Sequence, residues 1–236
     1  MRIVLVDERI SEKIERSLLK AGLQPIRLPK DACLGEAVRS HPDTLLFHHE
    51  GQIITTADYC DGAAYIFSDI RGLCPRVKIS FSSDERSGKY PKDCILNALV
   101  IGKRIFCKAD TVSESIRQFA KRREYEIIHT NQGYPACSLL SFGNAAITAD
   151  KGLGALLSEN GIKVTLIREG HISLPPYEYG FIGGASGVVG KKVYFFGDIS
   201  SHPDGDIICK AIMAEGYIPR SLGDGPLCDL GGIIAL

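Results

Sequence analysis

The side chains in this sequence that can carry chemistry stand just ahead of apolar runs. Cys137 precedes SLLSF, His41 and Asp43 flank Pro42 ahead of TLLF, Asp93 precedes CIL, and Asp229 precedes LGGIIAL. A thiolate attacks electrophilic carbon, an imidazole moves protons near neutral pH, and carboxylates hold cations. Each residue also has a plainer reading. Cysteine is among the most buried residue types, so Cys137 also fits a small packing role. His41-Pro42-Asp43 also fits a turn before a strand, because Pro and Asp both favour turns. Cys94 and Cys228 occupy comparable positions and are weaker candidates for a reactive thiol. Gln132 and Tyr134, close to Cys137, fit either a pocket lining or the packing of the Tyr134-Pro135 turn.

Other clusters are less promising. His202-Pro203-Asp204-Gly205-Asp206 resembles a ligand set, but Pro near a helix start and acids near its positive end explain it better. The glycines of FIGGASG (181–187) offer backbone N–H groups, yet no helix start follows to bind a phosphate. They suit the tight start of a strand. His48 and His49 are adjacent in a strand pattern, so they point to opposite faces and do not share a metal. No metal site and no cofactor motif is expected.

Composition narrows the classes further. The chain has 236 residues, 44% of them apolar and 24% charged, with a net charge of zero. That is ordinary globular composition. Nucleic-acid binding would need a clustered basic face. The one dense run, Lys121-Arg122-Arg123, falls at the end of an expected helix, where cations suit the dipole. Nucleic acid is therefore not an expected partner. No apolar run approaches a membrane span, and MRIVLVDERI reads as a strand rather than a signal peptide. Eight cysteines without a Cys-x-x-Cys pair, several inside apolar strand patterns, point to reduced thiols in a cytoplasmic protein. Nothing in the sequence sets an oligomeric state.

The elements that must position these residues repeat. A small or polar start, an apolar strand, a turn, a second strand and a closing Asp recur at 43–58, 93–110, 137–150 and 186–198. A spacing of about 43 to 50 residues is that of repeat arrays and rings. Helical patterns follow at 111–123, 151–160 and 203–215, the last two closed by Gly161 and Gly216, and strands follow the helices. The segment 82–89 reads as a polar, mobile loop. A fifth copy is split: LCDLGGIIAL (227–236) supplies its start, and the N-terminal strand, a helix at 11–21 closed by Gly22 and QPIRLP complete it. Modules that cannot bury their faces alone are stabilised by neighbours on both sides, so sharing one module between the termini closes a ring. An open Rossmann-like sheet is the alternative, but the first strand is not followed by G-x-G-x-x-G. The expected architecture is an α/β, five-module ββαβ propeller with pseudo-fivefold symmetry, forming one domain over 1–236.

Five such modules resemble the pentein fold of arginine deiminase, agmatine deiminase, dimethylargininase and glycine amidinotransferase. HPD (41–43), KYPKDCILN (89–97), NQGYPACS (131–138), ITAD (147–150), FFGDISSHPD (195–204) and DLGGIIAL (229–236) are similar to an uncharacterised family of this fold. The resemblance implies a Cys that attacks a guanidinium carbon, a His acting as acid and base two modules earlier, and carboxylates holding the cationic substrate. Carried over, it makes Cys137 the nucleophile, His41 the acid/base, and Asp43 the orienter of His41 or a substrate ligand. Asp93, Asp229, Gln132, Tyr134 and Asn97 are the implied substrate-binding set. The enzymes usually carry their Cys close to the C-terminus, so this chain departs from their order. Two functions follow. One is a cysteine-dependent hydrolase or transferase on a small guanidino- or amidine-like cation. The other is a non-catalytic binder of a ligand or macromolecule, as the ribosome anti-association factor of this fold is.

Overall fold

The computed structural model describes residues 1–236. The N-terminal module contributes β1 (Arg2–Asp7), α1 (Glu12–Lys20) and β2 (Leu23–Leu28). The second contains α2 (Pro42–Leu45), β3 (Leu46–His49), β4 (Gln52–Thr56), α3 (Ala57–Gly62), α4 (Ala64–Leu73) and β5 (Lys78–Ser82). The third contains β6 (Ala98–Ile101), β7 (Arg104–Cys107), α5 (Glu114–Arg123) and β8 (Glu126–His129). The fourth contains α6 (Pro135–Ser138), β9 (Leu140–Phe142), β10 (Ala145–Thr148), α7 (Lys151–Glu159) and β11 (Lys163–Leu166). The fifth contains β12 (Ser186–Val189), β13 (Lys192–Phe195), α8 (Gly205–Ala214) and β14 (Ile218–Ser221). The last strand, β15 (Ile234–Ala235), returns to the first module and pairs antiparallel with β1, Val4 opposite Ala235.

The result is five separate three-stranded sheets of identical plan. In each, the first strand is antiparallel to the second and the third is parallel to it. A parallel neighbour requires a crossover, and the helix between the second and third strands supplies it. Gly102, Gly143 and Gly190 hold left-handed backbone at the first position of three two-residue hairpin loops, and Gly51 at the second position of a fourth, a conformation that glycine adopts without steric cost. Helices α1 and α7 start on Ser11 and Asp150, whose side chains accept from backbone N–H groups of the first turn.

The core closes the ring. Five apolar clusters each join two neighbouring modules. Leu5 and Leu28 meet Phe67 and Ile70; Phe47 and Ile54 meet Ile105 and Phe119; Ile101 and Phe106 meet Leu153 and Leu157. Phe142 and Ile147 then meet Phe195 and Ile208, and Tyr194 and Phe196 return to Val4 and Leu18. A cavity of about 200 Å³ on the ring axis is lined by the first strand of every sheet, including Phe47, Leu99, Leu140, Val188 and Ile234. This is the expected five-module propeller, with the split module completed by the two ends of the chain.

Two local expectations need correction. The segment 82–89 is docked, not mobile. Asp84 accepts from Ser113 Oγ and Glu114 N at the start of α5, and Arg86, 4% exposed, is paired with Asp31 and donates to the Thr44 carbonyl. Its polarity is internal wiring. The helix expected over 203–215 begins at Gly205, with Pro203 outside it, Asp204 at its cap position and Asp206 in its first turn. The Asp204 carboxylate is instead taken by Arg168, through Nε at 3.0 Å and Nη2 at 2.7 Å. All eight cysteines are free thiols. No helix is long and apolar enough to cross a membrane.

Candidate active site

The segments leading into the first strands converge at one end of the axis. There a cavity of about 480 Å³ is lined by His41, Asp93, Tyr134, Cys137 and Asp229, contributed by four different modules. Glu178 also lines it, together with Tyr90, Tyr177, Tyr179 and Phe181. No lysine or arginine lines it. Carboxylates among aromatic faces, without a competing cation, suit a small organic cation.

Cys137 lies in α6, a single turn started by Pro135, and is buried. Its carbonyl accepts from Gly184 N, and its Sγ receives a hydrogen bond from Asn97 Nδ2 at 3.1 Å. The same Nδ2 donates to the Asp43 carbonyl at 2.9 Å, while Asn97 Oδ1 accepts from Ala136 N at 2.8 Å. Asn97 is thus a fully buried brace joining three modules, and it does not line the cavity. Burial, reinforced by Asp43 and Asp229, pushes the thiol well above its ordinary value.

His41 is 1% exposed and stands between two carboxylates, Nε2 3.8 Å from Asp7 Oδ2 and Nδ1 3.7 Å from Asp229 Oδ1. Neither ring nitrogen has a hydrogen-bond partner, so the ring does not bond the Cys137 thiol. Burial lowers its pKa to about 4, against the opposing pull of Asp7, so the ring is neutral at neutral pH. Gly231 is required behind it: the backbone there is left-handed, and a Cβ would run into His41. Asp229 accepts from Phe181 N at 2.8 Å and Gly231 N at 3.1 Å, but burial still raises it to about 6. Asp93 accepts from the Tyr134 hydroxyl at 2.6 Å through Oδ2, and its buried Oδ1 is unpartnered.

Not every candidate faces this cavity. Gln132 folds back into its own turn, bonding Tyr134 N and Ser138 Oγ, because a turn residue with an amide side chain satisfies local backbone first. Asp43 does not pair with His41. Its carboxylate lies behind Cys137 and lines the axial cavity instead. Cys94 bonds the Pro91 carbonyl, and Cys228 packs into the seam between the fifth and first modules. Neither lines the active-site cavity. Asp7, which the sequence reading left out, is fully buried at the end of β1 and held by Arg9 through Nε at 2.9 Å and Nη2 at 2.6 Å. It is the last residue of β1 itself, whereas the closing Asp residues of the other modules lie two or three residues beyond their second strands, so the repeat gave no signal for it.

A protein-family description, a family of unknown function designated DUF6873, matches residues 5–234. The chain belongs to the DUF6873 family. No curated protein matches this DUF6873 chain by sequence. Its fold, however, has solved counterparts. A dimethylarginine dimethylaminohydrolase of Pseudomonas aeruginosa in complex with citrulline superimposes with a TM-score of 0.60 at 11% identity, over 100% of this chain and 99% of that one. An amidinotransferase of Microseira wollei gives 0.57 at 12% identity, over 94% and 88%. The agmatine deiminase of C. jejuni gives 0.53 at 8% identity, over 94% and 86%. At these identities the likeness establishes the pentein fold.

Proposed function

We propose that this chain is a cysteine-dependent hydrolase or transferase acting on a small guanidino- or amidine-like cation. The observation that carries the reading is the meeting of one thiol, one neutral imidazole and three carboxylates, Asp93, Glu178 and Asp229, in a cavity without a basic residue. The solved pentein neighbours, named for dimethylarginine, agmatine and amidino-group chemistry, support the same class. A guanidinium is planar, delocalised and cationic, so carboxylates bind its N–H groups, and its positive charge offsets the burial of a thiolate beside it. Cys137 gives its proton to a buried neighbouring base as its Sγ attacks the central carbon. His41, neutral at rest, takes a proton from solvent and passes it to the departing amine as the carbon–nitrogen bond breaks, and an adduct on sulfur remains. Water or an acceptor amine attacks the adduct, giving its proton to His41 and through it to solvent, and sulfur leaves and regains its own proton. Asp7 and Asp229 flank the ring and stabilise its protonated form during this exchange.

A ligand-binding role without turnover is the second reading. It is favoured by the absence of a hydrogen bond between His41 and the thiol and by the raised thiol. One experiment separates the two. Purified protein is incubated with a panel of guanidines and amidines, and ureido products, released amine and a mass adduct on Cys137 are followed. Turnover that disappears in Cys137→Ala supports the enzyme. Binding of the same cations, undiminished in Cys137→Ala and without product or adduct, overturns it.

A further inference from the structure

The thiol and the carboxylate behind it open onto different cavities. Cys137 lines the active-site cavity, whereas Asp43 lines the axial one, reached from among the first strands of all five sheets. A single amide nitrogen, Asn97 Nδ2, binds both the Cys137 sulfur and the Asp43 backbone, fixing the two residues side by side. More than nine-tenths of Asp43 is buried, and neither of its oxygens has a hydrogen-bond partner. Buried carboxylates without partners are costly and are not kept by packing alone. Neither the Asp43 carboxylate nor the His41 ring hydrogen-bonds the thiol at rest, but Asn97 holds Asp43 beside it, whereas His41 is occupied between Asp7 and Asp229.

From this arrangement we infer that Asp43, not His41, takes the proton from Cys137, and that Asp43 exchanges that proton through the axial cavity rather than through the substrate pocket. The S–H bond breaks, an O–H bond forms on an Asp43 oxygen, and the electron pair left on sulfur makes the attack. When sulfur is released, the proton returns from Asp43 to it. The inference rests on the proposed reaction for its use in catalysis, but the coupling of the two groups exists without any substrate. His41, between Asp7 and Asp229, then serves only the amine and the water: it takes one proton from solvent for the departing amine and returns one to solvent after accepting the proton of the attacking water. The axial cavity also carries His48, whose buried Nε2 is unpartnered, as the next proton-bearing group on that side. The charged or titratable groups around Asp43 are Cys137, Asp229 and Asp7 on the site side and His48 on the axial side, with Arg9 held by Asp7. Burial and Asp229 raise Asp43 to about 8, which brings its proton affinity toward that of a thiol.

The test is residue-resolved labelling by iodoacetamide from pH 6 to 10, with no substrate present. In the native protein, Cys137 labelling should rise with a midpoint near that of Asp43, about 8. Asp43→Asn should slow neutral-pH labelling by at least about tenfold and move the profile upward, and Asp43→Glu should restore it. The contrary outcome is distinct. If Asp43 acts only as a neighbouring charge, removing it lowers the thiol pKa, and Asp43→Asn labels as fast or faster. That result overturns the inference, as does a native profile that stays flat up to pH 10, which can be read even if the variant does not fold. Failure of turnover on guanidines would leave these labelling outcomes unchanged, so the two readings fail separately.

Discussion

His41 Nδ1 lies 3.7 Å from Asp229 Oδ1, and the carboxylate makes its own hydrogen bonds to backbone N–H groups instead of to the ring. Asp229 therefore keeps its charge available to the cavity, provided that it is ionised. With its value raised to about 6, that charge is lost as pH falls through 6. Calorimetric titration with a small guanidinium should show affinity rising several-fold from pH 5 to 7. Asp229→Asn should lower the affinity at pH 7 by about tenfold, roughly 1.4 kcal/mol, and flatten that rise. Unchanged affinity in the variant would remove Asp229 from the cation site.

Stability should depend on pH with a sign set by Asp43. A carboxyl whose folded value lies near 8 binds its proton more tightly than the unfolded chain does, so its contribution is full at low pH and is lost as pH rises toward 8. His41, lowered to about 4, acts oppositely, but only below its unfolded value of about 6.5. Between pH 6.5 and 8 the carboxyl is alone of the two. Urea unfolding should show stability falling there by up to about 1.4 kcal/mol per pH unit. Asp43→Asn should abolish the slope, and a slope that persists in the variant would contradict the assignment.

Asn97 joins three modules through three hydrogen bonds. Asn97→Ala leaves a buried carbonyl and a buried N–H without partners, at about 1–3 kcal/mol each. A loss of about 2–4 kcal/mol in chemical unfolding is expected. A loss below 0.5 kcal/mol would mean that water replaces the amide without cost.

The buried Arg86–Asp31 pair fastens the segment 82–89 against the connection between β2 and α2. Gly35 and Gly88, one from each side of this join, form part of the cavity rim. Arg86→Ala strands Asp31 and should cost about 3 kcal/mol. Limited proteolysis should then cut within 82–89 before it cuts any module. Resistance equal to that of the native protein would show that Asp84 alone holds the segment.

The repeat made much of this readable. Residues just ahead of a first strand must gather at one end of the axis, so Cys137, His41, Asp93 and Asp229 fall into one cavity because their modules are equivalent. What the repeat does not encode is direction within a turn. His41 and Asp43 flank one proline, yet the short helix α2 sends one to the substrate side and the other to the axial side. Asn97 and Gln132 are both amides near Cys137. One becomes a brace and the other a local turn cap, because that choice depends on which backbone groups are left unpaired nearby. Asp7 lay in the split module, where the repeat is hardest to align, and its partner Arg9 has no counterpart in the other copies.

The pairing of β15 with β1 has a consequence for the chain while it is being made. Of the strands, β1 leaves the ribosome first and β15 last, and at roughly 5–20 residues per second their synthesis is separated by about 10–50 s. Until β13 is made, which is most of that interval, Val4, Val6 and Leu18 have no Tyr194 or Phe196 to cover them, and until β15 is made β1 has one open edge. The nascent chain therefore carries an uncovered apolar surface at the β1 end of the ring until the fifth module arrives. Chaperone contact during translation is expected at that end, and a ribosome stalled before β13 would display an apolar strand instead of a partly finished ring.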